Sequence, residues 1–237
     1  MFFGPNYIDP AYFCFMIPGL LLVMLSSWYV NSAYRKWLRV PISSGLTGAQ
    51  AAQRLIMSGG LNGVQIQGIG GNLTDNYDPR DKVLHLSQSV ANNPSVASVA
   101  VAAHELGHAM QDAEDYFPLR FRSALVPAVS IGSWLGWIMI IAGLILQSFT
   151  IGLLGILVFS GGALFALATL PVELNASARA KRLLADTGII AGPDEQAGVN
   201  TVLNAAALTY VAGLASALLQ LLYYIMLVTG LGGRRRG

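Results

Sequence analysis

Four stretches of the 237-residue chain carry almost nothing but apolar side chains: 11–30 (AYFCFMIPGLLLVMLSSWYV), about 126–147, 150–170 (TIGLLGILVFSGGALFALATL) and about 209–231 (TYVAGLASALLQLLYYIMLVTGL). Each lacks Asp, Glu, Lys and Arg. Each is close to the ~20 residues that a helix needs to cross the hydrocarbon of a bilayer. The pattern predicts four transmembrane helices. The first run has no basic residue ahead of it and RKWLR behind it, a charge order that suits an uncleaved span better than a signal peptide.

Two polar segments separate these runs, residues 31–123 and about 171–208, whereas only QSF (147–149) lies between the second and third. The second and third runs therefore form a tight helical hairpin over 126–170, and both polar segments lie on one side of the membrane. Within the first segment, TGAQAAQRLIMSGG (47–60) reads as a short helix capped by Thr47 and stopped by Gly59 and Gly60. GVQIQGI (63–69) and KVLHLS (82–87) alternate apolar and polar positions and read as strands around the turn-rich GGNLTDNYDPRD. NNPSVASVAVAAHELGHAMQDAED then reads as an Ala-rich helix, with Asn93 as its cap and Pro94 in its first turn.

Composition agrees with a membrane protein: 54% of residues are hydrophobic and 11% charged, against roughly a quarter charged in soluble domains. The net charge of +2 says nothing about nucleic acid, but no basic stripe with interleaved aromatics occurs, so no nucleic-acid partner is expected. The lone Cys14 allows no intramolecular disulfide. Arg35, Lys36, Arg39, Arg120, Arg122, Arg179, Lys181 and Arg182 flank the spans on the side of the polar segments, which predicts that side to be cytoplasmic. Arg234, Arg235 and Arg236 fall on the opposite side after four crossings and oppose that reading.

The chemistry is concentrated in AAHELGHAM. Histidines at i and i+4 share one helix face, so His104 and His108 can aim at one point, while Glu105 projects beside it. This is the HExxH arrangement of a zinc ion with a carboxylate next to the position where water binds. The plain alternative is a pair of helix-face histidines satisfied by backbone or water. Against it stand the apolar approach VASVAVAA, in which an unpartnered imidazole is costly, and Gly107, whose place in a helix interior calls for close packing or room for a ligand.

A catalytic zinc site commonly has three protein ligands and an open position. The remaining histidine, His85, lies in a predicted strand, so the third ligand is expected to be a carboxylate. Asp112 follows His108 by one turn of the same helix and suits a hydrogen bond to a ring N–H better than the metal. Glu173 fits better, because Pro171 opens a helix just beyond the third span and the hairpin returns it to the side of the histidines. Its plain alternative is a helix N-terminal residue favoured by the helix dipole.

VAAHELGHAMQ, with NYDPRDKVLHLS upstream and PVELNASARAKRLL after a two-span hairpin, resembles the YugP-like membrane zinc metallopeptidases of the neutral zinc metallopeptidase family. The resemblance covers essentially the whole chain. It implies zinc bound by His104, His108 and Glu173, with Glu105 as catalytic base. The layout is also similar to HtpX-like and CAAX prenyl proteases, in which an Asp commonly follows the ligand Glu by four residues. Here that position holds Ser177, which leaves Asn175 and Ser177 as candidates for the supporting partner.

The expected fold is thus mainly α, a multi-pass membrane protein with about four transmembrane helices and a small α+β zincin-like domain with an HExxH helix and a short β-sheet. The expected division is a span at 11–30, the domain's first part at 31–123, the hairpin at 126–170, its second part at 171–208 and a span at 209–231. The expected function is a membrane-bound zinc endopeptidase of the prokaryotic plasma membrane acting on peptide or membrane-protein substrates, with an extended peptide pairing along a free edge of the strand at 83–87. Tyr77, Tyr210 and Arg179 are candidates for an oxyanion donor, and His85 for a substrate contact. The alternative is a zinc-binding membrane scaffold without catalysis. Transport is disfavoured, because the spans hold no ionisable group.

Overall fold

The computed structural model describes residues 10–234, with backbone alone over 231–234. The expected basic tail at Arg234, Arg235 and Arg236 lies outside the described side chains. Of the described residues, 75% are helical. Helices α1 (Pro10–Leu38) and α2 (Gly48–Ser58) precede strands β1 (Gln65–Ile69), β2 (Asn76–Asp78) and β3 (Val83–Ser87). Helices α3 (Gln88–Ala91), α4 (Val96–Ala113), α5 (Phe117–Ile145), α6 (Phe149–Phe159), α7 (Gly161–Asp186) and α8 (Pro193–Arg234) follow. Two compact units result: Ser27–Arg120 with Leu170–Thr209, and Phe121–Thr169 with the chain up to Ser26 and from Tyr210 onward.

The second of these units is built from apolar helices that turn large side chains outward. Leu20, Leu25, Ile131, Trp134 and Leu157 are all exposed, an arrangement that suits lipid rather than water. Among the described residues, four helical stretches are long and apolar enough to cross a membrane: Pro10–Leu38, Phe117–Ile145, Phe149–Asp186 and Pro193–Gly230. The α5–α6 hairpin closes on glycine. A Cβ on Gly155 would stand 2.6 Å from the Ile140 nitrogen and one on Gly136 2.5 Å from the Phe159 nitrogen, so the two backbones touch. Small residues serve this purpose between helices in lipid.

The other unit has an ordinary apolar core of Leu55, Leu84, Leu86, Val99, Leu106, Leu184 and Leu203. Helix α2 starts with a capping box, the Thr47 hydroxyl accepting from the Gln50 N–H and the Gln50 side chain from the Thr47 N–H. It ends as expected at Gly59, with Gly60 in the left-handed region (φ 69°). The sheet order is β1-β3-β2, with β1 parallel and β2 antiparallel to β3. Leu84 and Leu86 enter the core while His85 faces the other way.

Three expectations need correction. Helix α4 begins at Val96 with Ser95 as its cap. Asn93 instead donates to the Leu38 carbonyl, and the Pro94 carbonyl accepts from Ile42, because this stretch is extended and bridges Pro41. Pro171 does not open a helix but lies inside α7. Its helix-breaking cost of ~3 kcal/mol is opposed by burial of Val172, Ala176 and Ala180 along one α7 face. Finally, the strand at 83–87 is the middle of the sheet and has no free edge.

Candidate metal centre

Helix α4 lies in the core on Ala102, Ala103, Leu106 and Ala109, which leaves His104 and His108 side by side on the adjoining face, each with 12% of its side chain exposed. Their ring centroids are 5.0 Å apart and the rings nearly perpendicular. His104 Nε2 lies 3.3 Å and His108 Nε2 3.5 Å from one atom, Glu173 Oε2. Glu173 comes from α7 and is almost wholly buried. Gly107 makes the approach possible: a Cβ there would fall on the Ala176 carbonyl oxygen and stand 2.9 Å from the carbonyl carbon. The donor atoms of the three residues all lie within 4.8 Å of one another.

The donor set fits zinc. Tetrahedral bonds of ~2.0–2.2 Å to nitrogen and oxygen put neighbouring donors about 3.3–3.6 Å apart; both edges to Glu173 fall in that range, and the histidine donors lie within 4.8 Å of each other. The far ring nitrogens are held as well. Ser177 Oγ is 3.2 Å from His104 Nδ1, and Gln111 Oε1 is 3.0 Å from His108 Nδ1.

Glu105 stands beside the group, its Oε2 accepting from the Tyr77 N–H at 3.1 Å. Burial raises its pKa, the two histidines oppose that rise, and the negative Glu173 and Asp75 reinforce it. Burial would lower the pKa of His108, but the hydrogen bond to Glu173 and the charge of Glu105 overcome it, and the net shift is upward.

A family model described as "Putative neutral zinc metallopeptidase" matches residues 12–229. The chain belongs to this family. It is also 41% identical over 211 residues to the "Putative membrane protease YugP" of Bacillus subtilis (strain 168), covering 89% of this chain and 93% of the relative. No solved structure matches it.

In this member of the neutral zinc metallopeptidase family, other residues singled out in the sequence fall around the group or away from it. Asp112 does not reach a histidine: its Oδ2 accepts from the Tyr77 hydroxyl at 2.9 Å. Gln111, one position earlier, takes the ring contact expected of Asp112. The sequence signal for it was an amide three residues after His108, on the side of the helix that packs inward. Ser177 does contact a ring, whereas Asn175 acts through Gln111. Arg179 donates from Nε to Asn175 and from Nη1 to Glu114. Tyr77 touches Glu105 and Asp112, Tyr210 belongs to the other unit, and His85 is not among the converging donors.

Proposed function

We propose that this family member is a membrane-bound zinc endopeptidase of the HExxH…E (gluzincin) type, cleaving peptide or membrane-protein substrates. His104, His108 and Glu173 would hold the metal, and Glu105 would act as general base. The observation that carries this reading is the meeting of two imidazole nitrogens with one carboxylate oxygen at 3.3 and 3.5 Å. Bound zinc supplies Lewis acidity, which lowers the pKa of water from ~15.7 to ~7 and polarises a carbonyl.

The chain's own residues supply proton transfer and orientation. Glu105, with Oε2 held by the Tyr77 N–H, would accept a proton through Oε1 and return it to the leaving amine nitrogen. Its raised proton affinity suits both halves of that exchange. Strand β2 pairs with β3 alone among the described residues, so its outer edge can take an extended peptide. The Tyr77 N–H on that edge is taken by Glu105, so the edge lies beside the carboxylate and a peptide there would pair through the remaining edge groups.

We assign residues 31–123 and 171–208 to one zincin-like catalytic domain interrupted by the hairpin. The compact unit of Ser27–Arg120 with Leu170–Thr209 supports this. We assign that domain to the cytoplasmic side of a prokaryotic plasma membrane, on the basic residues that flank it. The test of function is Glu105→Gln in purified full-length protein. Zinc content is expected to persist while peptide cleavage falls by about 10²-fold or more; undiminished cleavage would remove Glu105 from its role.

A further inference from the structure

We propose that Gln111 is a positioning residue for this centre: it fixes the proton of His108 on Nδ1, so that His108 can offer only Nε2 to a metal. The inference rests on the zinc reading above and adds to it how one ligand is set.

Gln111 is completely buried, yet every contact of its amide is directional. The Val172 carbonyl, 2.8 Å away, can only accept, so the atom facing it is the amide nitrogen. A second observation fixes the same orientation. The Arg179 guanidinium can only donate, so the Asn175 atom 2.7 Å from its Nε is Oδ1. That oxygen also takes a hydrogen bond from Gln111 Nε2 at 2.9 Å. Turning the Gln111 amide over would set its oxygen against two acceptors at once.

With the nitrogen fixed by both partners, Oε1 is left facing His108 Nδ1 at 3.0 Å. A carboxamide oxygen only accepts, so the ring nitrogen carries the proton. A neutral imidazole protonated at Nδ1 has its lone pair on Nε2, the atom that faces Glu173. His104 is set differently. Its Nδ1 meets the Ser177 hydroxyl, which can donate or accept and so selects no tautomer. The far end of the network is anchored by the Arg179 to Glu114 ion pair and by the guanidinium over the Tyr116 ring at 5.7 Å.

The test uses full-length protein in detergent, with zinc affinity measured by competition against a chelator. Gln111→Met keeps the length of the side chain and removes its hydrogen bonds. It is expected to weaken zinc binding by about 10–100-fold while the metal-free protein stays folded, with a melting temperature lowered by the lost buried hydrogen bonds. Parental zinc affinity in Gln111→Met would overturn the proposal.

Should the Met variant fail to fold, the nitrogen-15 spectrum of histidine-labelled, zinc-loaded parent decides. The chain has 3 histidines, so His85→Gln leaves two rings to assign. His108 is expected to carry its proton on Nδ1 and the metal on Nε2; the reverse would overturn the proposal. A parent that takes up no zinc would instead overturn the metal reading, and this inference with it.

Discussion

The pKa values of His108 and Glu105 are both raised, for different reasons. Burial favours the neutral form of each, but His108 has two acidic neighbours while Glu105 has the negative Glu173 close by. A metal must displace the proton held by His108 before it can bind Nε2. Because the pKa of that ring is raised above its ordinary 6.5, zinc affinity is expected to begin falling at a pH above 6.5 as the pH is lowered. The loss should approach about tenfold per pH unit for each proton displaced. Zinc titrations of the purified protein between neutral and mildly acidic pH check this. An affinity that stays flat until well below 6.5 would show that the ring is not charged by its neighbours.

At the scale of elements, the centre exists because α4 and α7 approach until backbone meets backbone. The single hydrogen of Gly107 permits that contact against the carbonyl of Ala176, and backbone cannot swing aside as a flexible side chain can. Gly107→Ala is therefore expected to destabilise the protein by about 1–3 kcal/mol through overpacking, even though Ala is the better helix former by up to ~1 kcal/mol. Zinc affinity should fall with it, since the same contact sets the distance from Glu173 to the histidines. Gly213→Ala is the control, because a Cβ there meets nothing within 4 Å, and its melting temperature should not drop.

The sequence asked for close packing or room for a ligand at Gly107, and set both histidines on one face through simple helical periodicity. It did not disclose β2, a strand of three residues inside a stretch of turn-forming Asn, Asp, Pro and Gly, where tertiary pairing with β3 overrides local preference. Nor did it foresee α7 running through Pro171, since the burial that offsets the proline comes from distant chain. Asp112 and Gln111 were exchanged for a similar reason: positions three and four residues past His108 both neighbour it on the helix, and only the placement of Tyr77 and Val172 tells them apart.

For the whole molecule, four apolar helices and one discontinuous polar unit define a topology that can be tested without reference to activity. In a Cys14→Ala background, a single cysteine at Lys82 is expected to resist a membrane-impermeant thiol reagent in intact cells. One at Leu146, at the α5–α6 turn, is expected to react. The opposite labelling would invert the proposed orientation while leaving the site as it is.

The hairpin is why Glu173 could be read from the sequence as a candidate third donor. Two spans joined by three residues return the chain to the side it left, so Glu173 can meet a motif 65 or more positions earlier. That meeting is the centre of the account, and zinc stoichiometry measures it most directly. Purified parent and Glu105→Gln are each expected to hold one tightly bound zinc per chain, and Glu173→Ala to lose it after dialysis against a mild chelator. Full retention of zinc by Glu173→Ala, in a protein that melts like its parent, would contradict it.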